Sequence, residues 1–153
     1  MKLPAALESA CKPLFDVLPI EKAMRRLTDS NPIFVELLHD ILDDPAMRGR
    51  DDLAAALYLY TDDLESSHSC SQSMETDTGS FWHGIMHRRE GDFGNSRYWF
   101  RRASSHPLIA GPPYLDPVGL VDAVSKASSD DITLVERQRT EWSVLFEWCA
   151  NQN

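Results

Sequence analysis

Apolar residues recur at steps of three and four along most of this chain, the spacing that gathers them on one face of an α-helix. Leu14, Leu18, Ala23 and Leu27 form one such set. Phe34, Leu37, Leu38, Ile41 and Leu42 form a second, and Leu53, Leu57, Tyr60 and Leu64 a third. Alternating runs rich in Val, Ile and Thr are missing, so the pattern predicts an all-α chain of six or seven helices. Asn31-Pro32 and Asp116-Pro117 each set a cap acceptor before a proline, whose absent N–H costs nothing in a first helical turn; both predict helix starts. A last helix over 131–150 places Val135, Gln138, Trp142, Leu145 and Cys149 on one stripe with Phe146 beside it, wide enough to close a core.

Other segments read as connections. Residues 105–117 hold four of the nine prolines, which predicts a stiff extended loop. Asp43, Asp44, Asp51 and Asp52 bracket Pro45 and Gly49, so they read as a turn and the opening of the third helix rather than as a calcium loop, which needs alternating acids and a closing Glu. Residues 79–107, GSFWHGIMHRREGDFGNSRYWFRRASSHP, read as two helices around the turn Gly91-Asp92-Phe93, a hairpin over 79–104.

That hairpin resembles a tetratricopeptide repeat. Gly84 stands at the small position of the first helix, and Ser96, Phe100 and Ala103 give the small-large-small pattern of the second. A second copy near a period of 34 is not visible, and stacked copies are what hold such solenoids together, so the hairpin belongs in a closed helical bundle. More broadly, Leu59 to Pro107 and the RTEWSVLFEWC ending resemble a family of helical proteins with a phrase WHxxMHRREGDxxNSxYWxRR. The resemblance implies a shared fold and carries no catalytic residues across.

At 153 residues with 42% hydrophobic composition, the chain supports one domain over 1–153 with a single core. Cys11, Cys70 and Cys149 have no C-x-x-C spacing, and an odd number makes no disulfide framework. Pro4, Glu8 and Lys12 interrupt any secretory apolar segment, and no run of 18 apolar residues spans a membrane. A cytoplasmic chain, away from membranes, is expected. Its net charge of −9 disfavours nucleic acid.

Charge is unevenly spread. Phe81 to His106 carries five arginines against two acids, whereas the flanks are acidic. His83, His87 and His106 fall in this island, and His68 stands upstream. Continuing the third stripe along a helix over 51–73 brings Ser67, His68, Ser71 and Gln72 onto the inward face, while His83, His87 and Glu90 share a face at i, i+4 and i+7. Inward polar groups cost about 1–3 kcal/mol each unless paired, so they must bond one another or line a site.

Three readings follow. A small anionic or polar ligand would sit in a pocket between the 51–73 helix and the hairpin, held by His68, His83, His87, Arg88, Arg89, Trp99 and Arg101. A transition-metal ion would sit on His83, His87 and Glu90, with His68 or Glu65 as other candidate ligands; H-x-x-x-H suits zinc, and a bound water would make a hydrolase, although Gly84 replaces the Glu of the zinc-protease motif. A purely structural network would join His68, Glu65, His83, His87 and Arg88. A thiol enzyme is disfavoured, because Cys70 points away from His68 and no nucleophile elbow is present. Trp142 and Trp148 suit a peptide or a second copy of the chain, giving a homodimer, if they are not spent on the core.

Overall fold

The computed structural model describes residues 1–28 and 30–152, and among these every regular element is helical. The α-helices are α1 (Ala5–Val17), α2 (Val35–Leu42), α3 (Asp51–Tyr60), α4 (Leu64–Gln72), α5 (Asp77–Glu90), α6 (Phe93–Arg102), α7 (Pro107–Ala110), α8 (Pro117–Val124) and α9 (Ile132–Ala150). A 3₁₀ turn, Pro45–Met47, precedes α3. The all-α architecture expected from the periodicity is present, with more and shorter helices than the six or seven anticipated.

Each departure has a local cause. The first stripe leaves helix at Val17, before Pro19, yet Leu18, Ala23 and Leu27 are still buried. Tertiary packing here uses irregular backbone, with Leu27 N–H donating to Ser129 O at 2.7 Å. Asn31 does not cap α2, which opens after Phe34, whose φ is +55°. The expected 51–73 helix is broken at Thr61–Asp63: Asp62 adopts φ +61°, and Asp63 starts α4 afresh by accepting from Ser66 N–H at 3.1 Å. The proline-rich 105–117 segment contains the one-turn α7, with Pro107 in the first turn, where proline is tolerated. Other start signals match the sequence. Asp116 accepts from Gly119 N–H at 2.8 Å, Asp44 caps the 3₁₀ turn, and Gly49 takes φ +69° in the acidic turn.

Because α3–α4 and α5–α6 are joined by two or three residues, each pair folds back as a hairpin, and α4 packs on α5 to set the hairpins side by side. Helix α9 closes the assembly against α3 and α8. Trp142 is fully buried, stacks on Phe146 with ring centres 4.7 Å apart, and donates its indole N–H to Ala56 O at 2.8 Å. Burying a large apolar side chain contributes roughly 1.5–3 kcal/mol, so this wall anchors the core. Trp142 is therefore core; Trp148 is half-buried, edge-on to His106.

The central helix is α5, whose residues 79–89 are all buried. Two glycines permit that. At Gly79 a Cβ would overlap the Met74 carbonyl oxygen, and at Gly84 it would meet the Phe100 ring at 2.7 Å. Ser96 reinforces the second approach by donating to Gly84 O at 2.7 Å. Gly91, at φ +86°, ends α5, and Asp92 caps α6 through Asn95 N–H. Among the described residues no helix is long and apolar enough to cross a membrane.

Candidate metal centre

Helix α4 presents one imidazole to α5. Ser67 is buried and donates to Ala55 O at 2.9 Å, which ties that side of α4 to α3. His68, the next residue, is half-buried and meets the histidines of α5 instead. His83 and His87 are one helical turn apart and share a face. Their rings lie nearly parallel, 4.8 Å between centres and 20° between planes. The His68 ring stands edge-on to both, at 4.7 Å from His83 and 5.5 Å from His87. From α6, Trp99 lies flat on His83 at 3.9 Å and 11°, and Arg102 stands 5.4 Å above that indole.

One ring nitrogen from each of the three histidines falls within 4.8 Å of the others. Nitrogens around a tetrahedral ion with bonds of 2.0–2.1 Å are about 3.4 Å apart, so holding an ion requires the three nitrogens to draw together and the near-parallel His83 and His87 rings to turn until both lone pairs meet at one centre. Among the described residues no hydrogen bond joins one of these imidazoles to another. His83 is 2% exposed and its Nδ1 is buried with no partner. Burial foremost, then the adjoining His87 and His68, lowers its pKa to about 3. At neutral pH it is an uncharged imidazole with a lone pair to give.

Glu90 does not complete this trio. Its carboxylate is paired with His87 Nδ1 at 2.7 Å and is 42% exposed. A carboxylate on Nδ1 favours the proton there and leaves Nε2 as the nitrogen with a lone pair, the arrangement found behind metal-ligating histidines. Asp92 extends this carboxylate side, its oxygen lying within 4.8 Å of the His87 and Glu90 atoms. Of the three candidates for a third ligand, His68 is the one whose ring nitrogen groups with those of His83 and His87, whereas Glu90 groups with His87 and Asp92. Glu65 is exposed and takes no part in the trio.

The arginines go elsewhere. Arg88 is fully buried and donates to Glu141 of α9 at 2.6 Å. Arg89, also buried, donates to Leu59 O at 3.0 Å and Asp62 at 2.6 Å, holding the break between α3 and α4. Arg101 is exposed on α6. The expected ligand pocket combining Arg88, Arg89 and Arg101 with the histidines is therefore not assembled, because acids distant in sequence engage two of the guanidinium groups and the third faces out. Arg97 is likewise paired, with Asp122 at 2.7 Å. His68, His83, His87 and Trp99 do come together.

The acid partners of these two arginines, Asp62 and Glu141, were not legible in the sequence. Neither sits at helical spacing from its arginine, so no local signal pointed to them. No known protein family, curated protein or solved structure matches the chain. The site is read from its own geometry.

Proposed function

We propose that the protein binds a divalent transition-metal ion through His68, His83 and His87. The observation that carries this reading is the grouping of three imidazole nitrogens within 4.8 Å of one another with no hydrogen bond between the rings, together with a buried His83 Nδ1 that has no partner. A structural network would join the rings by hydrogen bonds; among the described residues none joins these three, and His83 Nδ1 is without a partner. An all-nitrogen set favours zinc, copper or nickel over magnesium or calcium, which prefer oxygen. The near burial of His83 and His87 supports tight retention.

The test is uptake by apo-protein. Calorimetry with Zn²⁺, checked by elemental analysis after gel filtration, is expected to give one ion per chain. Alanine at His68, His83 or His87 should each weaken binding at least tenfold, with the helical circular dichroism retained. Absence of stoichiometric ion in the wild type refutes the proposal.

A further inference from the structure

We infer that the ion at this centre keeps a fourth coordination position open, and that the position takes a small monodentate anion from solution. The inference rests on the metal-binding reading above. Among the described residues, no fourth His, Cys, Asp or Glu atom joins the His68, His83 and His87 set. The two carboxylates grouped with His87 are already engaged. Glu90 holds the Nδ1 of His87. Asp92 accepts from Asn95 through both oxygens, one from the backbone N–H and one from the side-chain amide. Bringing either round to the ion would break the bond that orients His87 or the cap that starts α6.

Three neutral imidazoles leave the full double charge of the ion uncompensated, and a tetrahedral ion with three protein donors takes water or an exogenous ligand as its fourth. Two features favour an anion there. Arg102, above the indole stacked on His83, adds positive charge on that side. His68 is half-buried where the other two are buried, which gives the centre one edge toward solvent. The anion affinity first expected from arginine side chains thus passes to the ion itself.

Cobalt(II) makes this visible, since its ligand-field bands report coordination number and ligand exchange. The apo-protein is loaded with one equivalent of Co²⁺ and titrated with sodium azide. The expected result is intense tetrahedral bands that shift and saturate at one azide per cobalt, with the shift lost in His68→Ala. Tetrahedral bands indifferent to azide would overturn the open position while leaving metal binding intact. No cobalt-dependent bands and no retained cobalt would overturn both.

Discussion

Glu141→Leu removes the partner of a guanidinium that has no solvent-exposed surface. Arg88 is 0% exposed, and its contact to Glu141 at 2.6 Å is its one charged partner among the described residues. Leaving one member of a buried pair uncompensated costs about 3–5 kcal/mol. Glu141 itself is 5% exposed and lines a cleft of about 390 Å³ between α8 and α9. Arg88→Met therefore leaves a carboxylate that water can reach from that cleft, and it should cost less than Glu141→Leu. The double variant, an apolar pair of similar volume, should recover most of the loss. For a chain of this size, 3–5 kcal/mol lowers Tm by roughly 6–20 °C. Urea unfolding followed by circular dichroism measures all three, with equal m-values confirming a common unfolding reaction. Additive losses in the double variant would refute the buried-pair account. So would a Glu141→Leu protein within 1 kcal/mol of wild type, which would return Arg88 to the candidates for ligand binding.

Three other outcomes follow from the same geometry. Glu90→Ala should weaken Zn²⁺ binding about 10–100-fold, the usual effect of losing the group behind a ligating histidine, while Glu90→Gln, which keeps an acceptor for Nδ1–H, should lose less; equal affinities for all three proteins in calorimetry would remove Glu90 from the centre. Gly84→Ala should destabilise the protein by about 1–3 kcal/mol through the clash with Phe100, despite the roughly 1 kcal/mol that alanine gains in a helix, and a stabilised variant in urea unfolding would contradict the packing of α5 on α6. Burial lowers His83 to a pKa of about 3 and His106 to about 4, so the unfolded chain binds more protons than the native one between those values and 6.5. Apo-protein stability should be fully present above pH 6.5 and fall by up to about 1.4 kcal/mol per pH unit for each imidazole as the medium is acidified, and urea unfolding insensitive to pH between 6.5 and 4 would contradict the burial of both rings.

Much of the architecture was legible because its signals are local. Asp116-Pro117, the Gly91-Asp92 turn and the α9 stripe each act within a few residues, and each lies where the spacing placed it. The break at Asp62 was not, since Leu64 continues the apolar rhythm across it and the feature that holds it, Arg89, comes 27 positions later. The candidate site divides the same way. His83 and His87 were paired by helical periodicity alone. His68 faces the α5 histidines although the 51–73 segment is two helices rather than one. Arg88 looked like ligand chemistry because its acid partner, 53 positions away, leaves no mark near it. Glu90 shares the histidine face, and spacing alone does not distinguish a ligand from the group that orients one.

The coordination of a bound ion bears most directly on the account. X-ray absorption at the zinc edge of protein loaded with one equivalent of Zn²⁺ should show four nitrogen or oxygen neighbours at about 2.0–2.1 Å, with multiple scattering from three imidazoles. A sulfur neighbour near 2.3 Å, or a spectrum equally well described by hexa-aqua zinc, would contradict it.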